Sequence, residues 1–280
     1  MNIDYLNFTN TTSFHEGKVP YFTSRQLDKI DFITHAFSTR LGGVSSGQYE
    51  SMNLSYTVGD DERNVRENFN IFGNAIRILP ANMVYSKQTH TTNVLKITKE
   101  HLGMGIYRDR DFDNIDGLIT NEPGICLVTS YADCVPLYIV DPVNKAIGLS
   151  HSGWKGTVGD IASVTVNKMA EEYSSNPNDL IVFIGPSICQ GCYEIGEDVA
   201  EHFAVKYGPD VFDKILYPKE NGKFHLNLWQ ANVTNFINAG VKENNISITD
   251  ICTCHNPNVL FSHRASKGKR GGLCAFLMIK

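Results

Sequence analysis

Short β-rich runs outnumber helical stretches along this chain, and the two do not alternate in a strand–helix–strand rhythm. Aromatic and β-branched runs at 32–38, 83–86, 94–97, 126–129, 137–140, 146–150, 180–184, 246–252, 259–263 and 273–279 predict strands. Four helical patterns are scattered among them. Asp60 and Asp61 supply an N-cap, and Val65, Phe69, Phe72 and Ile76 then recur at helical spacing as far as Leu79, where Pro80 stops the helix. A second amphipathic helix follows Gly156 to about Tyr173, with Ala162, Val166, Met169, Ala170 and Tyr173 on its apolar side. Two more are expected at 197–206 and 228–239, the latter closed by Gly240 as a C-cap. This order predicts an α+β domain whose mixed β-sheets are flanked by helices. Neither an internal repeat nor a Pro/Ser-rich linker divides it.

Other classes are excluded by length and charge. The longest apolar runs, 134–140 and 273–279, fall well short of the ~20 residues a membrane span needs. Thirty acidic residues against 25 basic ones, without a long basic block, argue against a nucleic-acid partner. The first 20 residues lack the basic and apolar regions of a signal peptide, and seven cysteines is an odd number. The expected setting is the cytoplasm with reduced thiols, where a cysteine that matters is a ligand or a nucleophile.

Three such side chains share a setting where strand meets loop. His90 ends the polar cluster Lys87-Gln88-Thr89-His90. Cys134 lies in Tyr131-Ala132-Asp133-Cys134 between two predicted strands, and His151 opens His151-Ser152-Gly153-Trp154-Lys155-Gly156. Two imidazoles and a thiolate suit zinc, with a fourth position left for water or substrate. Spacings of 44 and 17 residues match no compact zinc motif, so two rivals stay open on these residues alone. One is a buried thiol with two hydrogen-bonded histidines. The other is a Cys134–His151 nucleophile pair of the thiol-hydrolase kind.

Longer blocks carry a resemblance. Asp116-Gly117-Leu118-Ile119-Thr120, Ala132-Asp133-Cys134-Val135-Pro136-Leu137 and the block opened by His151 are joined by Ser38-Thr39-Arg40-Leu41-Gly42-Gly43, Asn53-Leu54, Val58-Gly59-Asp60-Asp61 and Gln88-Thr89-His90. Gly185-Pro186-Ser187-Ile188, Cys192-Tyr193-Glu194-Ile195-Gly196 and Phe261-Ser262-His263-Arg264 complete the set. Together they resemble the YfiH/YlmD family, long labelled laccase-domain or polyphenol oxidase-like proteins and now described as purine nucleoside phosphorylases. The likeness begins near Ile33. It implies a catalytic domain over 31–280, with 1–30 as an N-terminal extension packed on it.

The resemblance also implies a metal, usually zinc, held by two histidines and a cysteine, here His90, Cys134 and His151. It implies phosphorolysis of adenosine, inosine, guanosine or methylthioadenosine to base and ribose 1-phosphate, with adenosine deaminase side activity. The partners would then be purine nucleosides and phosphate. This chain departs from the family pattern at His263, where a tyrosine is usual, and at Ala265-Ser266, where a second arginine is usual.

Physical chemistry suggests roles for the remaining residues. Arg40, beside a glycine loop, suits a bidentate phosphate clamp, and Arg264 is a second anion candidate. Asn53 and Glu194 suit ribose hydroxyls. The usual zinc-deaminase pattern H-x-E…P-C-x-x-C is absent, so any deaminase activity needs another scaffold. Multicopper chemistry is disfavoured, because nine histidines include no His-x-His pair; copper is expected only as a substitute at the same three ligands. A metal-dependent nucleoside-binding protein is the non-enzyme alternative.

Three further patterns were weighed. Gly43-Val44-Ser45-Ser46-Gly47 fits G-x-S-x-G but lacks the following helix of a nucleophile elbow. Cys189-Gln190-Gly191-Cys192 and Cys252-Thr253-Cys254-His255 invite a structural zinc, although Cys252 and Cys254 would sit too close on one strand face. The basic run Lys267-Gly268-Lys269-Arg270 is expected as a solvated loop or a gate over the site.

Overall fold

Alternate residues of a strand face opposite ways, and the last strand shows where they go in this chain. Leu273, Ala275, Leu277 and Ile279 enter one core cluster, while Cys274 and Phe276 enter another. The strand is therefore buried on both faces, which is why it reads as an unbroken apolar run. The structure, a computed structural model, describes residues 1–7, 9–209, 212 and 214–280.

The first sheet comprises β1 (Thr12–His15), β2 (Tyr21–Ser24), β3 (Ile33–Ser38), β4 (Met83–Tyr85), β7 (Cys126–Tyr131) and β15 (Leu273–Ile279), ordered β1-β2-β3-β15-β7-β4. The second comprises β5 (Val94–Lys96), β6 (Gly117–Thr120), β8 (Val135–Asp141), β9 (Ala146–Ser152), β10 (Ile181–Ile184) and β14 (Ile246–Ile248), ordered β14-β10-β8-β9-β6-β5. Each sheet mixes parallel and antiparallel pairs. Their inner faces share one core containing Phe37, Leu127 and Leu277 from the first sheet and Tyr138, Val140 and Leu149 from the second. The Tyr138 hydroxyl crosses this core to donate to the Ala36 carbonyl at 2.8 Å.

Helices cover the outer faces. On the first sheet, α1 (Glu62–Ile76) packs Val65, Phe69 and Phe72 against Val128 and Phe276. On the second, α3 (Ile161–Tyr173) and α5 (Leu228–Asn238) cover Leu137, Ile139 and Val182. Short α2 (Trp154–Val158) and α4 (Glu197–Tyr207) lie beside them, next to a small sheet of β11 (Glu194–Ile195), β12 (Leu216–Pro218) and β13 (Phe224–Leu226). The result is an α/β/β/α sandwich, the α+β class that the element order predicted. Among the described residues, no helix is long and apolar enough to cross a membrane.

Several local expectations are corrected. The helix expected from Gly156 to Tyr173 is two helices, because Asp160 takes a left-handed conformation (φ 66°) and caps α3 by accepting from Ser163 N. The first helix ends at Ile76, with Arg77 left-handed. No strand forms over 259–263: Leu260 and Phe261 are buried in a loop, and Ser262 caps the short α6 (His263–Ser266). The strand expected over 246–252 stops at Ile248; Ile251 and Cys252 make only isolated bridges, to Tyr5 and Ser187, before a turn at 253–255. Residues 12–24, for which no strand was expected, supply β1 and β2.

Candidate metal centre

The centre lies at one end of the sandwich, where chain segments pass from the first sheet to the second. Cys134 sits in the tight connection from β7 to β8, after Asp133 in a left-handed conformation (φ 86°). His90 lies in the connection from β4 to β5 and is also left-handed (φ 65°). His151 is the penultimate residue of β9, within the strand and not after it. These three side chains, far apart in sequence, place one potential ligand atom each within 4.8 Å of one another. Cys134 Sγ is 4.0 Å from His90 Nε2, and the two imidazoles meet edge to face at a centroid separation of 4.9 Å. His90 is exposed, Cys134 half-buried and His151 buried, so the cluster runs from the surface inward.

One carboxylate organises two of the three. Asp116, fully buried just before β6, accepts from the backbone N–H groups of Thr89, His90 and Thr91 and from the Thr91 hydroxyl. It also accepts from His151 Nδ1 at 2.8 Å. That bond leaves His151 Nε2 as the free ring nitrogen, in the carboxylate–histidine arrangement that supports metal ligands. Burial opposes ionisation of Asp116, but its bonds to His151 and the backbone amides hold its pKa at about 2. Burial also opposes charge on Cys134 and His151. Their mutual attraction nonetheless brings the thiol down to about 6 and, helped by Asp116, the imidazole up to about 9.

Gly153 makes the close approach possible. A Cβ there would stand 2.9 Å from His90 Cδ2 and 3.1 Å from Cys134 Sγ. Gln88 pins the segment before His90 to β7: its Nε2 donates to the Ser130 carbonyl at 2.8 Å and its Oε1 accepts from Ser130 N at 2.7 Å. Two imidazoles, a thiol, a carboxylate behind one imidazole and the missing Cβ together fit a metal ion.

The cluster opens onto a cavity of about 220 Å³, also lined by Tyr56, Tyr85, Ser130, Arg110 and Arg270. Arg110 Nε donates to the Tyr85 carbonyl, and its guanidinium lies 5.0 Å from the Tyr85 ring centroid. Arg270 has its Nε buried without a partner among the described residues. Sequence reasoning missed Arg110, which sits in an aperiodic polar loop. Arg270 was visible only as the end of a basic run.

The other expected site residues do not line this cavity. Arg40 donates to the Glu50 and Pro257 carbonyls, both at 2.9 Å, and lies over the Phe261 ring. Asn53 is fully buried: its amide donates to Asp60 and the Ser55 carbonyl, and its oxygen accepts from Ser55 N and Gly272 N. Glu194 pairs with Lys219 and Lys223. Arg264 clamps the Cys192 and Glu194 carbonyls.

The layers and this cluster define a class, an α/β/β/α domain with a His–Cys–His metal-type centre that opens onto a cavity. The family model described as "Multi-copper polyphenol oxidoreductase laccase" matches residues 34–280. A purine nucleoside phosphorylase of Bacteroides thetaiotaomicron is 36% identical over 254 residues, 90% of this chain and 94% of that one. The adenosine deaminase RL5, from an unknown prokaryotic organism, is 32% identical over 246 residues, 85% of this chain and 93% of that one. The crystal structure of the Bacillus licheniformis hypothetical protein YfiH matches with a TM-score of 0.89 at 29% identity, over 95% of this chain and 99% of that one. The chain belongs to this YfiH/YlmD, laccase-domain family.

Proposed function

We propose that the chain is a zinc-dependent purine nucleoside phosphorylase with adenosine deaminase side activity. The observation that carries this reading is that His90, Cys134 and His151 open onto the same cavity as Arg110 and Arg270. In this reading the three ligands hold zinc, which supplies Lewis acidity at the cavity wall when bound. Arg270, with Arg110 beside it, holds phosphate, since a half-buried guanidinium with an unpartnered Nε gains most from a dianion. The phosphate oxygen attacks C1′ of the ribose as the bond to the purine breaks, and the base leaves with the electron pair. Tyr56 and Tyr85 offer faces for a purine ring. Arg40, Asn53, Glu194 and Arg264 then serve as framework around the cavity. The relatives named phosphorylase and deaminase support both activities.

Two imidazoles and a thiolate suit zinc, and the same three donors would accept copper as a substitute. Four-copper chemistry would need many more paired histidines than the nine scattered ones provide.

A second reading has its own observation: Cys134, His151 and Asp116 line up as nucleophile, base and orienting carboxylate. His90 beside the thiol has no task in such a triad. Purified protein incubated with adenosine should yield adenine and ribose 1-phosphate only when phosphate is present. Cys134→Ser should lose the metal of this centre, falling by one ion per chain, together with activity; a variant whose metal content stays at the wild-type level while activity is lost would favour the hydrolase.

A further inference from the structure

Next to Asp133, a second group of metal-ligating side chains comes together. After β10 the chain makes a 3-10 turn at Gln190–Cys192, in which Cys192 N donates to the Cys189 carbonyl at 3.1 Å. The segment 252–255 runs beside it, paired to Ser187 through an isolated bridge at Cys252 and by Thr253 N donating to the Ser187 carbonyl. The pairing of Cys252 with Cys254 weighed in the sequence is not the one the fold selects. Residues 252–255 turn, and Cys252 and His255 join Cys189 and Cys192, each offering one ligand atom within 4.8 Å of the others. The ligand spacing is therefore C-x-x-C followed by C-x-x-H, compact on both arms.

From this geometry we infer a second, structural zinc site formed by Cys189, Cys192, Cys252 and His255. Four donors complete a tetrahedron and leave no vacancy for substrate, in contrast to the three at the first centre. Bond lengths of ~2.3 Å to sulfur and ~2.0 Å to nitrogen give tetrahedral edges of about 3.5–3.8 Å. One ring nitrogen of His255 serves as its ligand, and the four ligand atoms all lie within 4.8 Å of one another, with Cys192 Sγ 3.2 Å from His255 Nε2, so the set must draw in by about 1 Å at most. Cys189 N–H already points at Cys252 Sγ, 3.3 Å away, as suits a thiolate that keeps negative charge when ligated. Three thiolates and one zinc leave a net negative charge, and the Arg264 guanidinium adjoins it by donating to the Cys192 carbonyl at 3.0 Å.

The site has a structural consequence. Its two arms both grip Asp133, through Ile188 N donating to the Asp133 carbonyl and the Thr253 hydroxyl donating to its carboxylate at 2.6 Å. Asp133 holds the left-handed conformation from which Cys134 enters the first centre. Zinc at the second site thus clamps the residue that aims Cys134.

The test is metal stoichiometry in protein purified under reducing conditions, reconstituted with zinc and desalted. Wild type should hold two zinc ions per chain, Cys134→Ser one, and Cys134→Ser with Cys192→Ser none. Cobalt gives a readout that leaves the second site unmutated. Cys134→Ser removes the only thiolate of the first centre, so a strong thiolate-to-cobalt charge-transfer band in that variant belongs to the second. Adding Cys192→Ser should remove most of that band. A Cys134→Ser protein without zinc, or without the cobalt band, overturns the inference. So does a band undiminished by Cys192→Ser. Phosphorolysis assays do not enter this result, so failure of the proposed activity and failure of the second site are separately visible.

Discussion

Replacing Gly153 by alanine isolates the contribution of close packing at the first centre. The backbone there has φ −75° and ψ 178°, open to any residue, so the substitution adds no backbone strain. The added methyl carbon would sit 2.9 Å from His90 Cδ2 and 3.1 Å from Cys134 Sγ. Carbon contacts are comfortable at about 3.5–4.0 Å, so His90 must retreat by roughly 0.6–1.1 Å, or Gly153 must move. Metal–ligand distances tolerate only ~0.2 Å. The strain therefore falls on the ligand set. The expected loss is about 10–100-fold in metal affinity, the size seen when supporting groups are disturbed, or about 1.4–2.8 kcal/mol. Stability of the metal-free fold should change by less than about 1 kcal/mol, because fewer unfolded conformations offset the crowding. Competition with a chelator of known affinity measures the first quantity, and thermal unfolding of stripped protein the second. Unchanged metal affinity with unchanged activity would refute the claim that the ligands are packed against Gly153.

Three further outcomes follow from particular contacts. Asp116→Asn replaces one acceptor oxygen by a donor facing N–H groups, so metal affinity should fall at least tenfold and the 89–91 loop should lose amide-exchange protection; retention of both would deny the carboxylate its organising role. Arg270→Gln should raise the KM for phosphate at least tenfold while metal content stays at the wild-type level, and a phosphate KM that does not move would remove Arg270 from the anion site. His35 is buried in β3, where it accepts from Ser24 N through Nε2, and burial lowers its pKa from 6.5 to about 4. The unfolded chain therefore binds a proton between those values that the folded one refuses. Stability contributed by neutral His35 is present above pH 6.5 and is lost by about 3 kcal/mol as pH falls through 4. His35→Gln, which keeps an acceptor for Ser24 N, should flatten that part of the stability curve, and an unaltered curve would show that His35 is not its cause.

What could be read from the sequence divides along physical lines. Phe69, Phe72 and Ile76 recur at helical spacing because one neighbour, the first sheet, buries one face of α1. The seven-residue run of β15 is apolar throughout because helix and sheet bury opposite faces. Such burial writes a period into the chain. The segment 259–263 opens on the apolar run Val259-Leu260-Phe261 but has no strand partner; its Phe261 is buried beneath Arg40 in a loop, and a short apolar run alone does not distinguish the two cases. Arg40, Asn53 and Glu194 illustrate the converse limit. Their side-chain types suit ligand binding, yet each is engaged by carbonyls or charges brought from elsewhere by the fold. Even the partner of Arg40 at Pro257 lies 217 residues away, beyond any local pattern.

The metal ligands were legible for a different reason. His90, Cys134 and His151 sit at strand ends, and in a two-sheet sandwich the strand ends of one edge are forced together wherever the chain crosses between sheets. The 44 residues from His90 to Cys134 take in β5, β6 and β7, and the 17 from Cys134 to His151 take in the β8–β9 hairpin, so neither is a ligand-motif spacing. Asp116 escaped notice because its five donors come from a loop some 25 residues earlier and a strand 35 residues later. Its type was readable, but its position at the junction was not. The same distinction governs Cys252 and His255. Placed on a strand they would point to opposite faces, and the turn at 253–255 gives them a common direction. Ligand choice at both centres is thus decided by where strands stop. That boundary is set by hydrogen-bond partners distant in sequence, and no window of local propensity contains them.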